Sequence, residues 1–463
     1  MEKVNILLIE SHYRSRSWFE AIKDLGNLYI MSTMPEEKKI FKSQGVNDRR
    51  ILDLHEPKIA SINLNDAKKY IIKLEKKLEI NVIDLALMDR TIKLKNYDYI
   101  IKYSYFVSKK IETFVLNNNI NIVFMESTWL HEILTCKICE HYSISVFNIQ
   151  ISKILSNRFF FFKGYLNQKF YKRCCSNVGL KSAIENISNP GSIDKPQYFD
   201  KLSKRNKITF SKFKVLYDII RLSIFGYNNK NIQQNWLKSL ILKVLSIGKA
   251  SFLMKTKFFC NANKITNLKY ILVTLHVQPE ASIDVLGARF SDQIGFVQDI
   301  ARSTPSSHFV VVKEHPHAIG GRKSGFYKKI KSSPNVILAN PYEDSRALIK
   351  KADLVLSNTG TSSLEAALFG VPSSVASKMY FSELLSTPSF NPCIDSIGDL
   401  IEKGEQWKCK FDKNEAINSL LEIEKHSFEG NLWEFKIDPS VLSKKNIKNL
   451  KKAFTEVIGT VDL

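Results

Sequence analysis

Three stretches of sequence decide the fold, and they read YILVTLHVQPEAS at 270–282, FVVVKEHP at 309–316 and LVLSNTGTSSLEAALFGVP at 354–372. Each begins with an apolar, β-rich run and continues at once into polar residues, which is the pattern of a buried strand that ends in a strand-to-helix turn. A fourth polar cluster, PYEDS at 341–345, follows another apolar run. Because open parallel sheets bind ligands outside the carboxyl ends of their strands, these turns are expected to converge on one functional site.

Strand and helix patterns alternate throughout both halves of the chain. The five strands predicted in the second half are Tyr270–Leu275, Phe309–Lys313, Val336–Leu338, Leu354–Leu356 and Ser373–Ala376. Helical patterns separate them, and the first of these predicts a helix at Gly287–Ser303. The first half alternates in the same way, from a strand at Val4–Ile9 to one at Ile144–Asn148. Such alternation is typical of βαβ units. The sequence therefore predicts an α/β protein with two Rossmann-like, doubly wound parallel-sheet domains that face each other across a cleft, with a helical basic insertion.

The chain is too long for one ordinary core, because its 463 residues exceed the usual size of a single domain. We place the boundary near 261–267. Residues 1–265 would form the N-terminal domain, with a basic helical segment at about 156–265, and residues 266–463 would form the C-terminal domain. A helix predicted at Lys444–Ile458 is expected to close back on the first domain.

Basic residues are concentrated in one part of the chain. The net charge is +22, and between Lys201 and Tyr270 the only acidic residue is Asp218. Apolar and aromatic residues alternate there with lysine and arginine, which favours an amphipathic helix on an anionic membrane surface. A solvated basic face is the alternative. Nucleic acid is not expected as a partner, since no helix-turn-helix, zinc-finger or RNP motif accompanies the charge.

The remaining composition favours a globular, cytoplasmic protein. Hydrophobic residues make up 44% of the chain, so a packed core is expected rather than disorder. No apolar run is long enough to span a bilayer, and the first residues predict a strand rather than a signal peptide. The seven cysteines are sparse and odd in number, as in reduced proteins. Cys136 and Cys139 lie in a helical pattern without a second pair at zinc spacing, which favours packed thiols over a metal site.

The segment Lys313, Glu314, His315 and Pro316 ends a predicted strand. Pro316 stops the strand and keeps His315 extended. An ammonium and an imidazole at this edge of a sheet suit a phosphate or pyrophosphate. A hydrogen-bonded turn histidine is the alternative, and the neighbouring motifs favour the functional interpretation.

The run from Thr359 to Ser363 combines a glycine with small hydroxyl residues at a strand-to-helix turn. Main-chain N–H groups in the first turn of the following helix, together with serine and threonine hydroxyls, form a cradle for an anion. Part of this run must also cap the helix. Glu365 lies one turn further on, where its carboxylate could accept hydrogen bonds from sugar hydroxyls. Asp344 and Ser345, in the preceding turn, are expected to cap a helix or to lie beside a nucleotide base.

Polar residues also follow the first strand of the second half, namely His276, Gln278, Glu280 and Ser282. The carboxylate of Glu280, next to a phosphate-binding edge, could act as a general base for an acceptor hydroxyl. It could also bind a donor sugar or cap the next helix. In the first half, Glu10 and His12 follow one predicted strand and Glu126 follows another, so all three are expected to face the cleft.

These motifs resemble those of capsule and surface polysaccharide biosynthesis proteins. The modules similar to capsular Kdo transferases share an acid-Ala-Ser loop, a Lys-x-His-Pro strand end and a Gly-x-x-x-Glu-Ala helix start, in the order found here between Tyr270 and Phe381. This chain has Glu280 where those modules have aspartate, and Pro279 where they have glycine. Both departures leave the donor sugar open.

The resemblance implies a GT-B, metal-independent glycosyltransferase that acts at the inner face of the cytoplasmic membrane and needs no cofactor. A nucleotide-activated sugar, of the CMP-Kdo or nonulosonate type or a UDP-sugar, would be transferred to a lipid-linked or polymeric glycan. Glu280, with Glu126 as the second choice, would be the base, and His315 would stabilise the leaving phosphate. The C-terminal domain would bind the donor through His276, Gln278, Ser282, Lys313, Glu314, Pro316, Asp344, Ser345, Thr359, Gly360, Thr361, Ser362, Ser363 and Glu365. Glu10 and His12 would lie on the acceptor side.

Two other functions fit the same sequence. A sugar-nucleotide epimerase or a polyol-phosphate transferase could use the same scaffold and the same phosphate-binding turns. A non-catalytic capsule-assembly or membrane-scaffold protein could keep the fold without binding a nucleotide.

Overall fold

The structure is a computed structural model, and it describes residues 3–10, 15–55, 59–173, 180, 184, 246, 248–254, 258–265, 267–434 and 438–460. Most of the predicted basic stretch, and also His12, therefore lie outside the described residues. Within them, the chain folds into two compact α/β units. The first contains the described residues before Cys174 and after Lys425, and the second contains residues 180 and 184 together with the described residues of 246–425. The prediction of two α/β units, each built on a mainly parallel sheet, is confirmed.

The first unit contains a seven-stranded sheet in the order β12-β6-β5-β4-β1-β2-β3. Strands β1 to β5 are parallel, β6 pairs antiparallel with β5, and β12 pairs antiparallel with β6. The strands are β1 Asn5–Ile9, β2 Asn27–Ser32, β3 Ile51–Asp53, β4 Ile122–Met125, β5 Ser145–Ile151, β6 Arg158–Lys163 and β12 Phe428–Glu429. The chain runs outward from β1 to β3 and then returns to place β4 on the other side of β1. The reversal of strand order thus falls between β1 and β4.

Seven α-helices of the described residues belong to this unit. They are α1 Ser15–Ile22, α2 Pro35–Ser43, α3 Leu64–Leu78, α4 Val82–Met88, α5 Tyr97–Asn117, α6 Leu130–His141 and α15 Lys444–Ile458. The last of these buries Leu450, Ala453, Phe454 and Val457 on one face, which matches the period of a helix. The Phe454 ring lies edge-on to those of Phe124 and Phe161, with centroids 4.8 and 5.2 Å away. Helix α15 is therefore part of the first unit's core.

Strand β6 differs from the sequence prediction, which made the chain helical from about residue 156. The segment RFFFFK at 158–163 pairs antiparallel with β5 instead. Phe159 and Phe161 pack against Phe428 of β12, whereas Phe160 packs against Phe170. Both faces of the four central phenylalanines are buried, so the alternation that usually marks a strand is absent from the sequence.

The second unit contains a five-stranded, fully parallel sheet in the order β11-β10-β7-β8-β9. The strands are β7 Tyr270–Thr274, β8 Phe309–Lys313, β9 Val336–Ala339, β10 Leu354–Ser357 and β11 Ser373–Val375. Alternate residues of β7 enter two separate cores: Ile271 and Val273 face one, and Tyr270 and Leu272 face the other. Helices cover both faces, as in doubly wound folds. The strand order reverses between β7 and β10.

The second unit includes eight α-helices with defined bounds in addition to the helical residues 248–254, and two differences from the prediction concern boundaries. Leu253, Phe258 and Phe259, which the sequence assigned to the N-terminal domain, pack in the second unit's core. The helix predicted to begin at Gly287 begins at Gln293, because the Asp292 side chain caps the main-chain N–H of Ile294. The helices are α7 Ala262–Ile265, α8 Ala281–Asp284, α9 Gln293–Ser303, α10 Phe326–Ile330, α11 Ser345–Ile349, α12 Thr361–Leu368, α13 Ile397–Cys409 and α14 Lys413–Glu424.

Short 3₁₀ turns complete the described secondary structure of both units. They lie at Asp48–Arg50, Ile92–Leu94, Ala288–Phe290, Ser382–Leu384 and Pro439–Leu442. Among the helices that the structure describes, none has the length and apolarity needed to cross a bilayer.

Candidate functional site

The turns after β7 and β10 flank the point where the strand order of the second sheet reverses. In open α/β sheets, ligands bind in the crevice at this point, outside the carboxyl ends of the strands. The predicted residues His276 to Ser282 follow β7, and Thr359 to Ser363 follow β10. The topology therefore brings together the two longest polar motifs of the sequence.

Hydrogen bonds join these two turns directly. The main-chain N–H of Thr359 donates to His276 Nε2 at 3.3 Å, and the Thr359 hydroxyl donates to the Ser282 carbonyl at 2.8 Å. The hydroxyls of Ser362 and Thr274 lie 2.6 Å apart. The crevice thus has a defined rim, made by residues from both strands.

The first turn of helix α12 begins at Gly360, which is its N-cap residue and caps it with no side chain. The Ser357 hydroxyl accepts the main-chain N–H of Gly360 at 3.0 Å and so holds the turn from behind. Main-chain N–H groups at the start of a helix point outward and carry partial positive charge, which suits an anion. Among the predicted hydroxyl residues, the fully buried Ser363 bonds inward, at 2.8 Å from Ser357 Oγ and 2.9 Å from the Ser374 carbonyl. Thr361 and Ser362 are half-buried.

His315 is half-buried at the end of β8, and its protonation is defined by its neighbours. Its Nδ1 accepts the main-chain N–H of His317 at 3.2 Å, so the neutral ring carries its proton on Nε2. Burial, with further contributions from His317, Lys313 and Arg322, lowers the pKa of His315 to about 4. At neutral pH this imidazole is therefore an uncharged hydrogen-bond donor.

Lys313 and Glu314 point into the protein, in contrast to the phosphate-binding role predicted for the lysine. Only 4% of Lys313 is exposed, and its ammonium donates to the carbonyls of Pro341 and Glu314. Burial lowers the pKa of Lys313 to about 8. Lys313 thus ties the turn after β8 to the turn after β9. Lys313 is the last residue of β8, and its side chain lies on the inner side of the strand. The sequence pattern does not define which side the last residue of a strand faces.

Glu314 lies in a buried ion pair whose partner the sequence analysis missed. Arg322 donates to both carboxylate oxygens of Glu314 at 2.8 Å, and the Tyr327 hydroxyl donates at 2.9 Å. The main-chain N–H of His315 adds a fourth bond at 2.7 Å. One indirect signal of this pair is present in the sequence. A carboxylate at the end of an apolar strand needs a cation if it is buried, and Arg322, after the glycine pair at 320–321, is a nearby basic residue.

Glu280 and Gln278 have different environments although both follow β7. Glu280 is exposed at the N-cap position of α8, yet its carboxylate does not cap that helix and instead accepts the Ser282 hydroxyl at 3.0 Å. Gln278 bonds within the turn, donating to Asp284 at 2.8 Å and accepting from Gln293 at 3.1 Å. Glu280 is therefore accessible to a ligand, and Gln278 shapes the loop that presents it.

The turn before α11 and the second turn of α12 lie beside each other. Asp344 caps α11 by accepting the main-chain N–H of Arg346 at 3.0 Å, as the capping alternative predicted. Arg346 Nε lies 3.9 Å from Glu365 Oε2. Burial raises the pKa of Glu365, and Asp344 adds to this while Arg346 opposes it. Ser345 and Pro316 are half-buried. Their predicted role in donor binding stays a prediction.

The reversal point of the first sheet lies between two of the predicted carboxylates, because Glu10 follows β1 and Glu126 follows β4. Glu10 is 3% exposed and accepts the Thr33 hydroxyl at 3.5 Å, whereas Glu126 is half-buried. Glu132, which the sequence analysis missed, accepts the main-chain N–H groups of Thr128 and Trp129. Burial raises the pKa of Glu132, and the charges of Glu126 and Glu10 add to this. The three carboxylates are thus electrostatically coupled.

Cys136 and Cys139 are buried in helix α6, as expected for packed thiols. Burial raises the pKa of both, that of Cys139 to about 12, so neither is a reactive thiolate. Across the described ranges, no three or more His, Cys, Asp or Glu side chains are grouped so that they could hold a metal ion.

Comparison with known proteins leaves the family open. No protein-family model matches the chain, and no curated protein matches it. Among solved structures, a beta-Kdo 2,7-transferase from Thermosulfurimonas dismutans is 14% identical over 64% of this chain and 79% of its own, with a TM-score of 0.29. A UDP-GlcNAc 2-epimerase from Methanocaldococcus jannaschii is 14% identical over 91% of this chain and 99% of its own, with a TM-score of 0.26. The corresponding enzyme from Neisseria meningitidis is 12% identical over 90% and 99%, with a TM-score of 0.25. The architecture is defined by the two sheets themselves.

Proposed function

We propose that the protein is a glycosyltransferase whose second unit binds a nucleotide-activated sugar where β7 and β10 diverge. The observation that carries this proposal is the hydrogen-bonded rim of Thr359, His276 and Ser282 around the first turn of α12. A helix start with no side-chain cap, at the reversal point of a parallel sheet, suits the phosphates of a nucleotide. The neutral donor His315 follows the adjacent strand β8.

In the proposed reaction, the acceptor hydroxyl attacks the anomeric carbon of the sugar. The new bond joins the acceptor oxygen to that carbon, and the bond from the carbon to the phosphate oxygen breaks, so the nucleotide leaves with the electron pair. Glu280 takes the hydroxyl proton, because it is the exposed carboxylate nearest in sequence to the phosphate-binding rim. The N–H groups of Thr361 and Ser362 and the Nε2–H of His315 would stabilise the departing phosphate.

The first unit is proposed to bind the acceptor at its own reversal point. Glu10, Glu126 and the buried Glu132 would surround hydroxyl groups there, since carboxylates accept hydrogen bonds from sugars. The acceptor would be a lipid-linked or growing surface glycan, and the donor a CMP-linked acidic sugar or a UDP-sugar. These assignments rest on the sequence resemblance, and the basic stretch from Lys201 would hold the protein at an anionic membrane surface.

Nucleotide binding by the purified protein tests the proposal first. Calorimetry and thermal melting with CMP, UDP, CDP, GDP and dTDP should identify one nucleotide that binds and raises the melting temperature. Product analysis with the matching nucleotide donor then separates the activities. Glycosyl transfer adds a sugar without phosphorus to an acceptor, a polyol-phosphate transferase adds phosphorus to the acceptor, and an epimerase converts the donor alone. Glu280→Gln should abolish transfer and preserve nucleotide binding. A protein that binds none of the five nucleotides would contradict the proposal and favour a scaffold role.

A further inference from the structure

A buried arginine outside every sequence motif lies at the centre of the proposed donor site. The Nε and one terminal nitrogen of Arg322 donate to the two oxygens of Glu314, each at 2.8 Å. The exposed fractions of the two side chains are 6% and 0%. A bidentate pair of this kind fixes the planes of both groups.

The carboxylate of Glu314, which Arg322 holds in place, also bonds to the turn after β8. Its Oε1 accepts the main-chain N–H of His315 at 2.7 Å as well as the guanidinium. Its Oε2 accepts the hydroxyl of Tyr327, in helix α10, at 2.9 Å. The position of the His315 main chain therefore depends on where Arg322 holds Glu314.

The same guanidinium also reaches the turn after β7. The terminal nitrogen of Arg322 donates to the His276 carbonyl at 2.6 Å. The ring of His276 in turn accepts the main-chain N–H of Thr359, at the entrance to α12. One side chain thus links, directly or through one residue, the turns that follow β7, β8 and β10.

We propose that Arg322 is a positioning residue that holds His276 and His315 in the geometry that meets the donor phosphate. This inference rests on the function proposed above for the site. If Arg322 holds the two histidines in this way, each imidazole ring has one defined tautomer. His276 carries its proton on Nδ1, because Nε2 accepts from Thr359, whereas His315 carries its proton on Nε2, because Nδ1 accepts from His317.

Stability alone does not account for this arginine. Two apolar side chains of similar volume can replace a buried ion pair at little cost, whereas removal of one partner leaves a buried charge and destabilises the fold. A lysine cannot reproduce the arrangement, because a point charge cannot bond both oxygens of Glu314 and the His276 carbonyl in one plane. Substitutions of Arg322 and Glu314 can therefore separate the positioning of the two histidines from the stability of the fold.

The experiment compares Arg322→Lys and the paired variant Glu314→Met with Arg322→Met against the wild type. Arg302→Met is the control, since Arg302 is exposed in the same unit and pairs only with Asp299, one turn away. Three quantities are measured: the melting temperature, the dissociation constant of the nucleotide that binds the wild type, and the tautomers of His276 and His315. The tautomers are read from ¹⁵N chemical shifts in protein labelled at its nine histidines.

The paired variant should remain folded but melt below the wild type, because the Tyr327 hydroxyl and the His315 N–H lose their shared acceptor. It should bind the nucleotide about tenfold to a hundredfold more weakly, because misplacement of a site by about 1 Å has effects of that size. Its His276 signals should change from one tautomer to a mixture. Arg322→Lys should weaken binding in the same direction, and Arg302→Met should change none of the three quantities. Wild-type affinity together with wild-type tautomers in the paired variant would overturn the inference. If the wild type binds no nucleotide, the proposed function fails, and the tautomers still decide whether Arg322 positions the two histidines.

Discussion

The hydroxyl oxygens of Thr274 and Ser362 lie 2.6 Å apart, so the last residue of the central strand β7 is bonded to the first turn of helix α12. This bond spans the point where the strand order of the second sheet reverses. It joins the strand that precedes the loop of the predicted base to the helix start that is proposed to bind phosphate. The position of that helix start relative to β7 is therefore fixed by a direct side-chain bond.

Replacing His315 by alanine should reduce donor turnover by two to three decades, which corresponds to the loss of about 2–4 kcal/mol of transition-state stabilisation. The physical reason is that Nε2–H is a fixed donor next to the leaving phosphate. Steady-state kinetics with the donor identified by calorimetry provides the measurement. His308→Ala is the matched control, because His308 directly precedes the amino end of the same strand. Equal turnover in the His315→Ala variant and the wild type would remove His315 from the mechanism.

Stability should rise with pH between about 8 and 10.5 because of Lys313. Its folded pKa of about 8 lies below the ordinary value of 10.5, so within this interval the unfolded chain binds more protons than the folded one. Lys313→Met should remove this gain, and the charged lysine should cost the wild type about 3 kcal/mol at pH 7. Urea unfolding at pH 7, 8, 9 and 10 measures the slope. Lys351→Met, at an exposed site in the same unit, should keep the wild-type slope, and an unchanged slope in Lys313→Met would show that the ammonium is not buried.

Ser363→Ala should lower the free energy of unfolding by about 1–3 kcal/mol, because it removes a buried hydroxyl that bonds to Ser357 and to the carbonyl of Ser374. Chemical denaturation of the second unit measures the change. The exposed Ser306→Ala variant should change stability by less than about 0.5 kcal/mol. Equal effects of the two substitutions would mean that the hydroxyl of Ser363 makes no net contribution.

Phe454→Ala should destabilise the first unit by about 3–5 kcal/mol, since the ring is fully buried against Phe124 and Phe161. The exposed Lys452→Ala, on the opposite face of the same helix, is the control. Hydrogen exchange followed by mass spectrometry localises the loss of protection. Faster exchange is expected in strands β1 and β4, and wild-type exchange in those strands would contradict the packing of α15 described above.

The basic stretch from Lys201 to Lys257 should bind anionic vesicles at low salt and release them as salt rises, because each basic residue near the surface contributes about 1 kcal/mol that salt screens. Co-sedimentation with phosphatidylserine-containing vesicles compares the wild type with a variant carrying Lys204→Gln, Arg205→Gln, Lys207→Gln and Lys212→Gln. The variant should pellet less. Equal pelleting of the two proteins, or none by either, would favour a solvated basic face.

The sequence predicted the strand ends of the second unit well because composition and position agree there. The apolar run at 309–312 and the proline at 316 both mark the end of β8, and the structure ends the strand at Lys313. Local patterns do not specify which side of a strand end faces the interior. For that reason the inward positions of Lys313 and Glu314 became evident only with the packing around them.

Other features depended on partners that are distant in sequence. Arg322 is recognisable only through Glu314 and His276, and no motif connects those three residues. Strand β6 lacks alternation because both of its faces are buried, one of them by Phe428, more than 250 residues later in the chain. The cap that moves the start of α9 to Gln293 depends on one aspartate within a polar stretch, where several residues could cap equally well.

The place of β12 and α15 in the first unit has a consequence for the order of events on the ribosome. These two elements are synthesised after the entire second unit, yet they supply an edge strand and the buried face of Phe454 to the first. Domains generally fold as units during synthesis. All described residues of the second unit precede residue 426, so its core can be completed before β12 and α15 are synthesised. The first unit must hold an unfinished sheet until β12 and α15 have left the exit tunnel.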